Sequence, residues 1–405
     1  MVLFPFPAAK TTAANVTLTH ATNPSGELRT VTGPSPSVFP TCTTPNDMAD
    51  RLSQVRRRLD DFNANGLLLS SLPNIRWACG FTGSNGLLLV TEDTATFVTD
   101  GRYTEQARQE VEGADVLIAS NGLLEGLLDE GFVEDLGRVV IQADDVTLAA
   151  YHQIEENASA VDWHPRSGVL TSLVGTKDET EIERIRAAQA LTEEVFAEVL
   201  EGLRPGRTER EIAAEITYGH LRQGAEAMAF DPIVASGPNA ARPHARPTDR
   251  RLRTGDMVVL DMGAMLEGYA SDMTRTVAIG EPREEAVEGY RVVREAQQCA
   301  LDAARSGITG KELDATARSY IEDAGLGEYF AHGLGHGIGL EVHEWPRVSH
   351  SVDETLPAGA CVTIEPGVYV PEEEFGVRIE DIVVLEPDGC RNLTRAEKDL
   401  KVIES

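Results

Sequence analysis

The sequence predicts an α/β (α+β) protein of two domains behind an N-terminal extension, and three observations lead there. The chain has 405 residues, too long for one ordinary core and suited to two. Its texture changes near residue 46, from uncharged Thr/Pro/Ser-rich sequence to charged sequence with regular apolar spacing. Beyond that point, short apolar runs bounded by turn residues alternate with longer stretches of helical period. A hydrophobic content of 41% is enough to fill such cores.

Residues 1–46 carry only Lys10, Glu27 and Arg29 as charges and sustain neither a helical nor a strand period. They are expected to be a disordered extension, or sequence upstream of a start at Met48. "MVLFPFPAAK" lacks a basic n-region and is interrupted by Pro5 and Pro7, so it makes a poor signal peptide. No apolar run approaches the roughly 18–20 residues that cross a bilayer.

A first domain is expected over 47–171. "MADRLSQVRRRLDDFNANG" sets Leu52, Val55 and Leu59 at helical spacing. "GLLLS", "GLLLVT" and "TATFVTD" follow as strands of one sheet, then helices near 104–113 and 121–136 and a strand at "RVVIQA". The segment "GSNG" (83–86) lacks the Lys-Ser/Thr of a phosphate loop and reads as a turn.

A second domain is expected over 172–405. Asp178 with Glu181 has the spacing of a helix cap and its reciprocal acid, and Ile182, Ile185, Val195, Val199 and Leu203 continue as an apolar stripe. The same opening recurs at Thr208 with Glu211 and at Thr309 with Glu312. No repeat of solenoid period is visible.

The net charge of −30 repels nucleic acid and anionic membrane, so neither is expected as a partner. Only five of the 36 basic residues are lysine, and the acids are spread rather than blocked. That pattern points to a halophilic cytoplasm, where salt screens the repulsion. Five scattered cysteines without a C-x-x-C fit reduced thiols in a cytoplasm rather than disulfides or a cysteine-zinc site.

Chemistry gathers in three places. In "MVVLDMGAMLEGYASDMTRTVAIG", two strand-like runs flank "MLEGY" as a hairpin, with Asp261 and Asp272 nearly opposite on one face. In "CVTIEPGVYVPEEEFGVRIEDIVVL", Glu365 and Glu380 face each other around "PEEEF" in the same way, and Arg378 shares the face of Glu380, where it can orient a ligand carboxylate. Paired acids within strands are unfavourable unless a cation compensates them. Any one acid among 66 is by default a solvated strand residue, but two mirrored pairs are harder to dismiss. The third place is "HGLGHGIGLEVHEWP" (332–346), with His332, His336 and His343 among four glycines. Four carboxylates and one histidine make an oxygen-rich site that suits Mn²⁺, Fe²⁺ or Co²⁺ better than structural zinc, with charge enough for two ions.

These segments, with "PHARPTDR", resemble the pita-bread metallopeptidases, and most closely the branch of Xaa-Pro dipeptidase (prolidase) and aminopeptidase P. "NIRWACGFTGSNGLLLVT" and "FVTDGRYTEQA" resemble the smaller creatinase/prolidase-type N-terminal domain of that branch. The resemblance covers about residues 48 to 400. It implies a pita-bread catalytic domain and a short peptide substrate. It also implies two divalent metal ions, with Mn²⁺ preferred, held by Asp261, Asp272, His336, Glu365 and Glu380. Asp272 and Glu380 would bridge the ions, Asp261 would serve one, and His336 and Glu365 the other. His244 and His343 would act on the substrate with Glu365 as proton shuttle, while His332 and Arg347 would line the substrate pocket, Arg347 against a free carboxylate. The glycines would let the backbone approach metals and substrate. A homodimer is expected. His152, His164, His220 and His350 are expected at the surface.

Two other readings stay open. One is another C–N hydrolase on the same fold, creatinase-like or ectoine-hydrolase-like; a methionine aminopeptidase would normally lack the extra N-terminal domain. The other is a non-catalytic peptide-binding protein, which the intact ligand set disfavours. Fold alone does not decide among them.

Overall fold

The structure, a computed structural model, describes residues 45–404, with side chains from Asp50 onward. The expected extension over 1–46 therefore lies outside the described residues, except that Pro45 and Asn46 already belong to the first helix.

The first part of the chain runs α1 (Pro45–Phe62), β1 (Gly66–Leu69), α2 (Leu72–Cys79), β2 (Leu87–Thr91), β3 (Ala95–Asp100), α3 (Thr104–Glu110), β4 (Asp115–Ala119), α4 (Leu123–Asp129), β5 (Arg138–Gln142), α5 (Leu148–Asn157), β6 (Asp162–Arg166) and α6 (Thr171–Val174). Its strands form one mixed sheet in the order β4-β3-β2-β1-β5-β6. β1 and β5 run parallel, so Ser71 and the Gln142–Asp145 turn emerge at the same sheet edge. The segment 83–86 is a bend, as its composition implies.

The second part runs α7 (Glu179–Gly202), α8 (Glu209–Arg222), β7 (Ala227–Met228), β8 (Ile233–Ser236), β9 (Met257–Met262), β10 (Ala264–Leu266), β11 (Tyr269–Ala270), β12 (Met273–Ile279), α9 (Glu284–Ala303), α10 (Gly310–Asp323), β13 (Gly335–Gly337), β14 (Glu344–Val348), β15 (Cys361–Ile364), β16 (Gly367–Val370), β17 (Phe375–Arg378), β18 (Asp381–Glu386), β19 (Gly389–Asn392) and β20 (Val402–Ile403). The caps read from sequence are present as reciprocal boxes at Asp178/Glu181, Thr208/Glu211 and Thr309/Glu312. A helix pair followed by acid-bearing strands thus occurs twice, α7/α8 before β9/β12 and α9/α10 before β15/β18.

One apolar cluster joins the two parts: Leu52 and Val55 of α1 and Leu67 of β1 are buried in the same group as Ile182 and Ile185 of α7 and Ile382 of β18. The buried Arg51 guanidinium crosses the same junction to Asp178 at 3.2 Å. This packing holds the first sheet's edge beside the strands that carry the acids.

Candidate metal centre and substrate cavity

Asp261 lies within β9, whose residues are all buried, and pairs with Thr274 of β12 rather than with Asp272. The expected facing of the two aspartates is therefore diagonal. The reason is the turn: Leu266 pairs with Tyr269 around Glu267–Gly268, both at positive φ, and the same register runs through β10/β11 into β9/β12, which sets Thr274 rather than Asp272 opposite Asp261. Asp272 precedes β12 by one residue and shares the face of Thr274, two positions on.

Glu365 and Glu380 do face each other. The ladders β15/β18 and β16/β17 keep one register, Ile364 opposite Asp381 and Gly367 opposite Arg378, which sets Glu365 opposite Glu380 in the gap between them. Both acids stand where regular pairing is interrupted.

His336 sits on β13 at a bulge, between its pairing with Arg347 and that of Gly337 with Glu344. Bulges of this kind re-aim a side chain. Its Nδ1 donates to the Gly337 carbonyl at 3.1 Å, which leaves Nε2 for the cluster, 3.3 Å from Glu365 Oε1 and 3.7 Å from Asp272 Oδ2. The neighbouring glycines serve strand packing: a Cβ on Gly335 would stand 2.0 Å from the Thr363 carbonyl oxygen, and one on Gly337 2.3 Å from that of Trp345. The atoms that exclude a Cβ are neighbouring backbone, so these two glycines let strands approach one another, which differs from the expected approach to metal and substrate.

The acids are crowded in a way that bound protons or a metal cation would relieve. Burial, then the charges of Glu380, Asp261 and Glu365, push Asp272 well above its ordinary value. Burial and the Glu365 and Asp261 charges raise Glu380 to about 8. Burial raises Asp261 despite Arg378. Burial would raise Glu365 too, but its bond to His336 wins and it is lowered to about 2. Burial pulls the other way on His336, yet Glu365 and Glu380 push it above its usual range. Asp261 Oδ1 is buried with no hydrogen-bond partner. One ligand atom from each of Asp272, His336 and Glu380 lies within 4.8 Å of the other two. An orphaned carboxylate oxygen among crowded acids and a histidine is a donor set that fits a divalent cation.

The sequence did not single out three residues that support this centre. Thr274 Oγ1 donates to Glu380 at 2.8 Å and accepts from Arg378 Nε at 3.0 Å. Thr363 Oγ1 accepts from the His336 amide at 3.1 Å and donates to Glu365 at 3.2 Å. Tyr369 OH accepts from Arg378 Nη1 at 2.7 Å and meets His332 Nε2 at 3.0 Å. Thr274 and Thr363 each lie two residues from a ligand, and strand alternation is the signal that finds them. Arg378 itself is buried and holds Asp261 Oδ2, as expected of a residue that orients a ligand.

Around the acids opens a cavity of about 1290 Å³, bordered by Asp261, Asp272, His336, Glu365 and Glu380 and by His244, His332, His343, Arg347 and Arg378. His244, His343 and Arg347 are exposed into it; His332 is half-buried and its two nitrogens are engaged by Tyr369 and the Gly333 carbonyl. Burial keeps His332 and His343 below their usual values. The buried pair Lys177–Glu344 fixes the segment next to His343. Ser71, Asn74, Gln142, Asp144 and Asp145 of the first sheet's edge close one wall, a contribution that motif reading missed because it comes from strand ends.

Of the histidines expected at the surface, His152 is exposed and His164 half-buried. His350 is exposed but borders the cavity. His220 is wholly buried, a correction explained by its two satisfied nitrogens, bonded to the Ile216 carbonyl and Thr192.

Residues 183–387 match the model of metallopeptidase family M24, and residues 51–173 that of the creatinase/prolidase N-terminal domain. An Xaa-Pro dipeptidase of Pyrococcus horikoshii is 36% identical over 358 residues, 87% of this chain and 99% of that one. A solved Xaa-Pro dipeptidase from Bacillus anthracis superposes with a TM-score of 0.85 at 35% identity, covering 88% of this chain and 99% of that one. An X-Pro aminopeptidase structure from Thermotoga maritima gives 0.80 at 37% identity, covering 87% and 99%.

Proposed function

The chain belongs to metallopeptidase family M24, and from that premise we propose that it is a metallo-exopeptidase hydrolysing the Xaa-Pro bond at the N-terminus of dipeptides and short peptides. One observation carries the proposal: four carboxylates and a histidine crowd beneath a cavity rimmed by two exposed histidines and an arginine. The two family matches support dividing the chain into an N-terminal domain over 47–171 and a catalytic domain over 172–405.

Asp261, Asp272, His336, Glu365 and Glu380 would hold two divalent ions, and the donor set favours Mn²⁺, with Co²⁺ or Fe²⁺ as substitutes. When bound, such ions lower the pKa of a shared water and polarise the scissile carbonyl. Glu365 takes the proton of the attacking water. It returns that proton to the proline nitrogen, which as a tertiary amide has no hydrogen of its own. His244 and His343 hydrogen-bond the oxygen as its charge develops. Arg347 pairs with the free carboxylate of a dipeptide. His332 has both nitrogens occupied, so it borders the substrate with its ring while holding Tyr369 against Arg378.

The Arg347 guanidinium at the cavity favours dipeptides. A second reading, aminopeptidase action on longer peptides, is favoured by the cavity's size, above the roughly 300–1,000 Å³ of ordinary small-ligand pockets. We further propose a homodimer in a reducing, salt-rich cytoplasm. The −30 charge and unpaired Cys79, Cys299, Cys361 and Cys390 support the compartment. Among the described residues no helix is long and apolar enough to cross a membrane.

The test offers Ala-Pro, Ala-Pro-Ala and Ala-Ala to the protein with Mn²⁺ in molar salt. Ala-Pro should be cleaved fastest and Ala-Ala hardly at all; equal rates on Ala-Ala would remove proline specificity. Arg347→Ala should raise KM for Ala-Pro roughly tenfold or more, the scale of a lost charged hydrogen bond, and leave the KM for Ala-Pro-Ala nearly unchanged. Equal effects on both would shift the assignment to an aminopeptidase.

A further inference from the structure

We propose that Glu209 is the positioning residue for His244, a role that rests on reading His244 as a substrate-facing group. Glu209 opens α8 directly after its cap, Thr208. An acid in a helix's first turn is normally a surface residue that complements the dipole. This one is 0% exposed. Its carboxylate accepts five hydrogen bonds. Oε1 takes the Ser236 amide and Ser236 Oγ, each at 2.7 Å. Oε2 takes Asn239 Nδ2 and the Thr248 amide at 2.9 Å and Thr248 Oγ1 at 2.6 Å.

All five donors are neutral, and all belong to one segment, 236–248, that connects β8 toward β9. An apolar side chain there would orphan all five donors, and only an ionised carboxylate, which accepts at both oxygens and donates nothing, satisfies them together. What the carboxylate does is gather the two ends and the first turn of a single loop onto one point. Asn239 Nδ2 closes the loop further by donating to the Arg246 carbonyl at 3.2 Å. At the far side, Arg378 Nη1 donates to the Pro243 carbonyl at 3.1 Å, one residue before His244. Ala245, one residue after, is buried against Ala235, Ala240 and Val259. His244 is left as the exposed residue between two held neighbours and borders the cavity. Arg378 thus ties the tip to the metal centre, and Glu209 sets the base that lets the tip reach it.

Glu209→Gln keeps the shape but turns an NH₂ toward donors. It should lower kcat/KM on Ala-Pro about 100-fold, the scale of a ~1 Å misplacement. In a His244→Ala background the same change should cost nothing further, because the residue it positions is gone. Amide hydrogen exchange of 240–247 should quicken by at least about tenfold while α8 and β9 keep their protection. Multiplied losses in the double variant, or unchanged exchange in 240–247, would overturn the inference. The exchange readout needs no turnover, so a wild-type protein inactive on Xaa-Pro peptides counts against the peptidase reading and leaves exchange to decide the loop. If Glu209→Gln fails to fold, Thr248→Val and Ser236→Ala each remove one donor and should give the same signature in smaller measure; normal exchange in both would equally overturn it.

Discussion

The two acid-bearing strand pairs read almost alike in sequence and are built differently. In the first, Asp261 sits inside a continuous ladder opposite Thr274, and Asp272 lies just outside it. In the second, Glu365 and Glu380 both fall in the gap between two ladders that share one register. The first pair has its acids staggered, the second has them opposed. Each pair is then braced by the other: Arg378 of the second holds Asp261 of the first, and Thr274 of the first donates to Glu380 of the second. The difference teaches that neither hairpin is a half-site. Asp272, Glu365 and Glu380 stand at breaks in pairing while Asp261 stays inside its ladder, and the cross-bracing fixes their relative positions.

The comparison breaks most completely at Glu365. Glu365→Gln removes the proposed proton carrier without removing a strand contact, so kcat should fall roughly 10³-fold with little change in melting temperature. A near wild-type rate would take Glu365 out of the mechanism. Arg378→Met cuts the brace between the pairs. It leaves Asp261 without its buried partner and frees Tyr369 from its donor. Stability should drop by about 3–5 kcal/mol in denaturant titration, and metal affinity by roughly 10–100-fold. Unchanged metal affinity would show that the pairs hold their ions independently.

A smaller effect sharpens the comparison through pH. Glu380 is raised to about 8 and Asp272 also lies above its ordinary value. The folded metal-free protein therefore binds protons that the unfolded chain has released. The stability from these protonated acids is fully present below the ordinary carboxylate value and is lost as pH climbs to about 8. The metal-free melting temperature should fall between about pH 5 and pH 8, while the Mn²⁺-loaded protein lacks this fall because cations replace the protons. A flat or rising metal-free profile would contradict the crowding.

The elements with strong local chemistry were legible in sequence. Asp178, Thr208 and Thr309 read as helix starts because a cap and its reciprocal acid need only three residues of spacing. β1, β2, β3 and β5 read as strands because they are short apolar runs. β6, "DWHPR", was missed: it lies at the sheet edge with only Trp163 buried, so it carries no apolar pattern. α2 was missed because Pro73 within "LPNIRWAC" reads as a breaker although it stands in the first turn, where proline is tolerated. The clustering of the acids was legible because acids within strands demand compensation. Their register was not, since moving the turn to Glu267–Gly268 offsets Asp272 from Asp261 by two positions while keeping both on one face, and such an even shift leaves no mark in alternation. His220 and Glu209 were illegible for one reason: their burial is set by partners about 28 to 39 residues away, beyond any local pattern.

The central claim is that both strand pairs together hold two catalytic ions. It is tested most directly by stripping the protein of metal, verifying its removal, and titrating Mn²⁺ back while following bound metal and Ala-Pro hydrolysis together. The account predicts no hydrolysis in the stripped protein, full activity only as a second equivalent binds, and loss of that second equivalent in both Asp272→Asn and Glu380→Gln. Full hydrolysis after verified stripping, or saturation of activity at one equivalent with the second never bound, would contradict it.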